Sequence, residues 1–414
     1  MKRKTKRLSE GHLAFRLTPA GRVCFFLIGI SGLGSVTVQL PVYQFFCVLT
    51  CVVLFAEALG QLFRPKLSAV LTMPSSIQMG QTVCGTLTIR NIGRWPVFDI
   101  MAMFHGLPRP IRHANKHEMI PSIRAGESAE LPVTLSTSTR GIYDLPPLRI
   151  HSTFPFNLMR FGKCTALAQP LHVLPDFHMI PELNIPAGSR HQPGGMLLQK
   201  HDGNSPEFVG NREYSYGEPA SRINFRAWAR LGRPVVREYM DEFCMRVAIV
   251  LDTRVTPTSR WNPLKIPNAA SNKNLEAAIC FVASLAASMQ TAESLLDMFA
   301  AGPELHVFRG ATGAYHFDRL LEILAGIGST TTNPLPELTP AVTEELKSIS
   351  TVFCVFLHWD LERQTLVDGI HAAGCEFRVV LVNESESELP FPEDGVQFIR
   401  MAPDTIVNGE VLKL

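Results

Sequence analysis

Acidic and histidine side chains follow two apolar runs in the C-terminal half of the chain. Asp252 ends the run 246–252, and His358 and Asp360 stand at the end of the run 351–358. Continuous apolar runs of this length are typical of buried parallel strands. Ligands of doubly wound sheets bind at the carboxyl ends of such strands. The sequence therefore predicts a ligand-binding edge that contains Asp252, His358 and Asp360.

Catalytic motifs give little support for an enzyme. The chain contains no nucleophile elbow, phosphate loop or HExxH motif. Cys354 and His358 are four residues apart on one predicted strand, so we expect them to share a face, but the apolar neighbours of Cys354 favour a core residue over a catalytic thiol. A hydrolase that uses His358 and Asp360 is kept as a third hypothesis.

Metal-ligand patterns are also weak. The nine cysteines include no CxxC pair, which argues against a zinc site or a disulfide framework. His113 and His117 are spaced i, i+4, but they lie among predicted loops and strands, where that spacing does not place two side chains on one face. We therefore expect no cofactor at these residues.

Charged and aromatic residues alternate in the segment 206–240. Its Arg222, Arg226 and Arg230 are spaced i, i+4, i+8 and would project from one face of a helix. Such a stripe can bind nucleic acid or phosphate, but it can also join packed domains through carboxylates and aromatic rings. The acidic residues within the segment and after it favour the second interpretation. The sequence thus predicts an arginine-rich clasp between domains and no nucleic-acid partner.

Strand and helix patterns alternate over residues 244–414. The apolar run 246–252 is followed by a helical pattern with a broad apolar face at 274–290. Further strands are predicted at 295–300, 305–308, 351–358 and 377–382, and further helices at 317–325 and 362–373. This alternation predicts a doubly wound, mostly parallel α/β sheet.

Residues 64–175 have a different pattern. The segments Val83–Arg90 and Ala129–Leu135 alternate between apolar and polar residues, as in half-buried strands. Gly, Pro and Asn interrupt the region at short intervals, and no stretch has helical periodicity. The region is predicted to be a β-sandwich-like domain.

A long uncharged stretch precedes this region. The 34 residues from Val23 to Ala56 contain no Asp, Glu, Lys or Arg. One helix of that length would be about 50 Å long, beyond a hydrocarbon core of about 30 Å. Division at Pro41 predicts a transmembrane hairpin over 23–63, with spans of about 23–40 and 42–63. Its length argues against a cleaved signal peptide. Glu57 is expected to reach the membrane interface.

The net charge of +2 conceals a segregation of charge along the chain. Residues 1–22 carry seven Lys or Arg and one acid, and residues 176–414 carry twenty Lys or Arg and thirty acids. Basic residues on both sides of the hairpin predict that both termini are cytoplasmic, with 1–22 as a basic cytoplasmic tail. The basic surplus of 64–163 would be attracted to an anionic inner leaflet.

The segment 206–240 resembles the signature of a bacterial family known as domain of unknown function 58. The matching residues are Arg212-Glu213-Tyr214, Gly217-Glu218, Arg222-Ile223-Asn224-Phe225, Ala229-Arg230 and Val235-Val236-Arg237-Glu238. Phe225 stands where the family usually has Trp, and Glu218 where Asp is usual. The layout is also similar, with a membrane hairpin, a β-rich module, a linker at 176–243 that carries the signature, and a C-terminal α/β domain.

The resemblance implies that residues 244–414 are similar to a von Willebrand factor A domain. Such domains commonly hold Mg²⁺ through Asp-x-Ser-x-Ser after the first strand, a Thr in a later loop and an Asp after the fourth strand. These oxygens suit a hard cation. The corresponding residues here are Asp252, Thr256, Thr330 or Thr331, and Asp360.

Arg254 departs from that pattern, because it replaces the first Ser and supplies no oxygen. We expect its guanidinium to pair with Asp252 or Asp360 and to take the place of the cation. A degenerate site closed by an internal salt bridge, or remodelled for a partner's side chain, is therefore favoured over Mg²⁺ binding.

The family resemblance implies a partnership with a MoxR-type AAA+ ATPase in protein assembly or maturation. We therefore expect a non-enzymatic scaffold or adaptor that is anchored by two spans in a bacterial inner membrane, in contact with its lipid. A Mg²⁺-dependent ligand-binding domain is the alternative. The candidate interaction residues are Arg212, Glu213, Tyr214, Gly217, Glu218, Arg222, Phe225, Arg226, Trp228, Arg230, Arg237, Glu238 and Arg254.

Overall fold

A computed structural model of the chain divides it into two units, Met1–Val173 and Leu174–Leu414. The division falls next to residue 175, where the sequence predicts the end of the β-rich domain. The structure describes residues 16–35, 40–185, 192–199, 207–216, 223–244, 246–255, 272–290, 295–301, 305–309, 314–384, 392 and 397–414.

Two apolar helices open the first unit, α1 (Pro19–Ser35) and α2 (Leu40–Leu62). Within the described ranges, one helix is long and apolar enough to cross a membrane, over Pro41–Leu62, and α1 is shorter. Both helices begin earlier than predicted. In α2, Pro41 occupies the first turn, where its missing N–H costs no helical hydrogen bond. A Cβ at Gly32 would lie 3.2 Å from the ring of Phe46, so the two helices approach closely.

The remainder of the first unit is β-rich, as predicted. Two four-stranded antiparallel sheets have the orders β1-β3-β7-β5 and β10-β9-β4-β6, and a three-stranded sheet has the order β2-β11-β8. The strands are β1 (Leu67–Thr72), β2 (Ser76–Gln78), β3 (Thr82–Asn91), β4 (Val97–Phe104), β5 (Ile111–His113), β6 (Met119–Ile123), β7 (Ser128–Thr137), β8 (Gly141–Tyr143), β9 (Leu148–Ser152), β10 (Phe161–Ala166) and β11 (Leu171–Leu174).

One apolar core lies between the two four-stranded sheets. Along β3, buried and exposed residues alternate without interruption, which is the pattern of a strand with one face on a core. Leu87 and Ile89 of β3 and Ile100 of β4 are fully buried in the same cluster. The two sheets therefore form the layers of a sandwich-like module.

The second unit contains a six-stranded sheet with the order β17-β16-β15-β18-β19-β20. All neighbours are parallel except β16 and β17. The strands are β15 (Arg246–Asp252), β16 (Leu295–Ala301), β17 (Leu305–Arg309), β18 (Thr351–Phe356), β19 (Glu376–Val382) and β20 (Phe398–Met401). The predicted strand 351–358 therefore ends before His358, and the expectation that Cys354 and His358 share a strand face was wrong.

Helices cover both faces of this sheet. On one face, α4 (Lys273–Met289), α5 (Ala314–Gly326) and α8 (Pro403–Val407) contribute to one core. On the other, α6 (Leu335–Glu345) and α7 (Leu361–Ala372) contribute to a second core. The arrangement is a doubly wound α/β sheet, as the alternation of elements predicts.

The predicted linker 176–243 contains a further sheet. Its strands β12 (Gln192–Gln199), β13 (Glu207–Glu213) and β14 (Val235–Cys244) are antiparallel in the order β12-β14-β13. The short helix α3 (Phe225–Leu231) lies between β13 and β14 in the chain. This part of the chain is therefore a folded element rather than a simple linker.

Local capping sets the bounds of α3. The Asn224 side chain accepts a hydrogen bond from the backbone N–H of Ala227, and Gly232 ends the helix with a φ of 69°. Asn is a strong N-cap, and Gly adopts this left-handed conformation without strain. The helix thus begins after Arg222, which lies outside the described residues, so the predicted three-arginine helical stripe is not formed by α3.

Candidate functional site

The predicted acidic edge lies at the carboxyl ends of β15 and β18. These strands are parallel neighbours, so their ends meet at the same edge of the sheet. Asp252 is the last residue of β15 and is fully buried. Asp360 follows β18 and caps α7, where its side chain accepts a hydrogen bond from the Arg363 N–H at 3.0 Å.

A buried arginine joins these two carboxylates. The Nε and Nη2 atoms of Arg363 donate to Oδ2 of Asp252 at 3.0 and 2.7 Å. Its Nη1 atom donates to Oδ2 of Asp360. The Arg363 side chain is fully buried. A planar guanidinium with several donors in a fixed fork suits such bridging of two carboxylates.

Both oxygens of each carboxylate accept hydrogen bonds. Oδ1 of Asp252 accepts from the backbone N–H of Arg254 at 2.9 Å, and Oδ1 of Asp360 accepts from that of Arg363. A Mg²⁺ ion would need these oxygens and would meet the guanidinium between them. The residues present therefore do not fit Mg²⁺ in this arrangement. Among the described residues, no group of three or more His, Cys, Asp or Glu could hold a metal ion.

Arg254 forms an ion pair with Asp360, as predicted, with its Nη1 atom 3.6 Å from Oδ2 and its side chain partly exposed. The guanidinium that lies between the two carboxylates, in the cation's place, belongs to Arg363 instead of Arg254, which corrects that part of the prediction. Arg363 lies three residues after Asp360 in the first turn of α7. That spacing from a capping aspartate could have indicated the contact between Arg363 and Asp360. The contact of Arg363 with Asp252 spans 111 residues of sequence, so no local pattern indicated it.

The loop that contains Thr330 is joined to this edge by backbone hydrogen bonds. The Val255 N–H donates to the Thr330 carbonyl at 2.8 Å, and the Thr330 N–H donates to the Thr253 carbonyl at 3.0 Å. The Thr330 and Thr332 hydroxyls are 2.7 Å apart. Thr330 is buried and Thr331 is exposed, so Thr330 is the threonine that supports the edge. Thr256 lies outside the described residues.

His358 lies beside both carboxylates without bonding to them. Its Nδ1 is 3.8 Å from Oδ2 of Asp252 and its Nε2 is 4.0 Å from Oδ2 of Asp360. These distances exceed those of a hydrogen bond. Burial lowers the pKa of His358 despite the nearby Asp252, and Arg363 lowers it further. The imidazole is therefore neutral near pH 7 and is not oriented by an aspartate as a general base would be.

Hydrogen bonds from Arg363 stabilise the ionised form of Asp360. Burial alone would raise the pKa of this carboxyl, but the hydrogen bonds from the Arg363 backbone and side chain outweigh burial, so the pKa is lowered. Asp360 therefore stays ionised at neutral pH and completes a charge-compensated cluster. Such a cluster is suited to holding the edge together rather than to proton transfer.

The described signature residues lie on or next to the sheet β12-β14-β13 and α3. Arg212 and Glu213 are on β13, Tyr214 follows it, and Arg237 is on β14. Glu213 forms an ion pair with Arg233. Gly217, Glu218 and Arg222 lie outside the described residues, and so does the side chain of Glu238.

The side chains of α3 are largely exposed. Phe225 is 63% exposed and Trp228 38%, and their rings stack with centroids 6.1 Å apart. Leu231 is also exposed, as are Arg226 and Arg230. The interdomain clasp stays a prediction from the sequence.

No protein-family model and no curated protein matches the chain. Among solved structures, the chain is similar to the CARDB domain of a Pyrococcus furiosus protein in complex with di-metal ions, at 12% identity over 27% of this chain and 90% of that chain, with a TM-score of 0.20. It is also similar to part of native alpha-2-macroglobulin from Escherichia coli, at 11% identity over 69% of this chain and 38% of that chain, with a TM-score of 0.22. Likeness at these TM-scores is too low to support an argument about function.

Proposed function

We propose that this protein is a membrane-anchored, non-enzymatic scaffold of the domain of unknown function 58 type, and that it binds a partner protein through its C-terminal unit. The observation that carries the proposal is the α3 surface, defined as Phe225, Arg226, Trp228, Arg230 and Leu231. This surface lies within the signature segment.

The composition of the α3 surface supports binding of a protein. Trp and Arg are enriched among the residues that contribute most to protein interfaces, and exposed adjacent aromatics are a frequent mark of interaction sites. Phe225 and Trp228 are already stacked on each other, so little side-chain entropy remains to be lost on binding. Arg226 and Arg230 would complement acidic groups around an apolar contact.

The geometry of the acidic edge supports a non-enzymatic role. Arg363 hydrogen-bonds to Asp252 and Asp360, and His358 has no hydrogen bond to either carboxylate oxygen that it faces. The von Willebrand factor A resemblance is supported by the doubly wound sheet and by aspartates at the ends of β15 and β18. In this proposal the edge is a degenerate adhesion site closed by a salt bridge.

Membrane anchoring is supported by α2, which is long and apolar enough to span a bilayer. The proposal adds α1 as a second span, which places both termini in the cytoplasm of a bacterium and the hairpin in its inner membrane. The basic residues on both sides of the pair favour this orientation. The proposed partner is a MoxR-type AAA+ ATPase that acts with this chain in protein assembly or maturation.

The test is capture of the ATPase by the detergent-solubilised full chain in the presence of a non-hydrolysable ATP analogue. We expect capture by the unaltered chain and at least tenfold less by Phe225→Ala/Trp228→Ala, because truncation of a residue that dominates an interface, often a Trp, costs about 2 kcal/mol or more. The matched control is Leu167→Ala, which truncates an exposed side chain of the other unit. The partner proposal fails if no ATPase is captured by the unaltered chain.

The alternative, a Mg²⁺-dependent ligand-binding domain, requires Arg363 to leave Asp252 and Asp360. Calorimetry of the full chain with Mg²⁺ separates the two. Heat that disappears in Asp252→Ala would support the alternative, and absence of heat would leave the scaffold.

A further inference from the structure

A basic pocket of about 280 Å³ lies in the first unit, where α2 ends. None of the described residues that line it is acidic, and four are basic. The lining residues are Arg16, Gln61, Arg64, Arg160, Phe161, Gly162 and Lys163. Residues this distant in sequence are brought together only by the fold of the first unit.

Backbone hydrogen bonds hold one wall of the pocket. The N–H of Arg160 donates to the carbonyl of Arg16 at 2.8 Å, and the N–H of Thr18 donates to the carbonyl of Leu158 at 3.1 Å. The Arg160 side chain is also held, because its Nη1 donates to the carbonyl of Leu17 at 3.0 Å. Arg16 and Arg160 are therefore fixed to one another by neighbouring segments.

Two glycines allow this wall to approach the helices. A Cβ at Gly60 of α2 would lie 2.2 Å from the ring of Phe161, and one at Gly21 of α1 would lie 2.0 Å from the Leu158 carbonyl oxygen. Contacts this short would force the Phe161 ring or the Leu158 backbone to move, so glycine suits both positions. The wall of the pocket is thus formed by tight packing.

The pocket has a surplus of positive charge. Glu57 accepts hydrogen bonds from Arg16 and Gln61, each at 2.8 Å, so it neutralises one cation. Arg64 and Lys163 are exposed, and no described carboxylate lies within 4.0 Å of either to form an ion pair. Burial lowers the pKa of Arg160, and the positive charge of Arg22 lowers it further. An anion in the pocket would offset this repulsion.

The position of the pocket along α2 indicates its depth in a bilayer. If Pro41–Leu62 crosses the hydrocarbon core, Gln61 and Arg64 lie at the level of the lipid headgroups. The same two residues line a neighbouring pocket with Trp95, whose side chain is 68% exposed. Exposed tryptophan beside basic residues is typical of the membrane–water interface.

We propose that the basic pocket binds the phosphate of an anionic phospholipid headgroup. Arginine forks match phosphate oxygens, and basic pockets beside membrane helices are suited to anionic headgroups. The inference rests on the membrane anchoring proposed above, because anchoring places this pocket beside the lipid headgroups. The headgroup contacts would hold the β-rich module against the bilayer.

The experiment is native mass spectrometry of the detergent-solubilised full chain with phosphatidylglycerol or phosphatidylcholine added. We expect preferential retention of phosphatidylglycerol. Arg64→Gln/Lys163→Gln should weaken that binding about 30-fold, since each basic residue at the surface contributes about fivefold. The control is Arg109→Gln/Lys116→Gln, which removes two exposed cations that do not line the pocket and should leave retention unchanged.

Three further results distinguish the ways in which the inference can fail. Equal retention of the two lipids by the unaltered chain would overturn it, and this comparison needs no variant. Displacement of phosphatidylglycerol by millimolar inorganic phosphate would assign the pocket to free phosphate instead of lipid. Release of the chain from membranes by carbonate would instead refute the anchoring on which the inference rests.

Discussion

Replacement of Arg363 by methionine tests the account of the acidic edge most directly. The substitution keeps the length of the side chain but removes the guanidinium that bonds to Asp252 and Asp360. The fully buried Asp252 would then lose its guanidinium partner, and Asp360 would keep only the longer ion pair with Arg254. Breaking a buried charge pair costs about 3–5 kcal/mol, because the remaining charge is desolvated without compensation.

The corresponding fall in melting temperature is roughly 10 °C for a unit of this size. It is measured by tryptophan fluorescence during thermal unfolding of the detergent-solubilised chain at pH 7. The matched control is Arg319→Met, which removes an ion pair with Glu322 whose side chains are 62% and 35% exposed. Exposed pairs contribute about 0–1 kcal/mol, so the control should shift the midpoint by less than about 3 °C.

Equal shifts in the two variants would refute the reasoning, because they would mean that Arg363 does not compensate the buried carboxylates. The pH dependence provides a second check. The pKa of Asp360 is lowered in the folded state, so its stabilising contribution is present above the unfolded carboxyl pKa of about 4 and is lost as the pH falls through the folded value. The difference between Arg363→Met and the unaltered chain should therefore shrink in acid.

Three other perturbations have defined outcomes. Millimolar Mg²⁺ should raise the melting temperature of Arg363→Met, where two carboxylates face a vacated position and can supply the oxygen ligands that Mg²⁺ prefers. It should leave the unaltered chain unchanged, and equal shifts would contradict the assignment of that position. Burial and the charge of Arg160 lower the pKa of His151 to about 4. Because the unfolded chain takes up this proton at a higher pH than the folded chain, about 3 kcal/mol of stability is lost between pH 6.5 and 4. Denaturant titrations of His151→Gln should lack this loss of stability. Gly60→Ala should lower the melting temperature of the first unit, because a Cβ at Gly60 meets Phe161. Gly29→Ala should leave it unchanged, because a Cβ at Gly29 meets nothing within 4 Å. Similar melting temperatures of the two variants would refute the packing argument.

Elements with strong local patterns were predictable. The strand β15 has the predicted bounds, and α4 is displaced by one residue from its predicted position, because a continuous apolar run and a broad apolar face each specify one kind of element. By contrast, α6 escaped prediction. It contains Pro340, which removes a hydrogen-bond donor from the helix interior and disfavours a helix locally, yet burial of Leu335, Leu338 and Val342 against the sheet stabilises it.

The sequence by itself determined the bounds of β15 and which stretch is apolar enough to span a membrane. Both follow from hydrophobic pattern, which is read within a short window. The partner of Asp252, the grouping of Arg16 with Arg160 and the exposure of Phe225 and Trp228 were decided only by tertiary structure. A guanidinium is buried only where several acceptors from distant segments offset its desolvation, and no local window contains those acceptors.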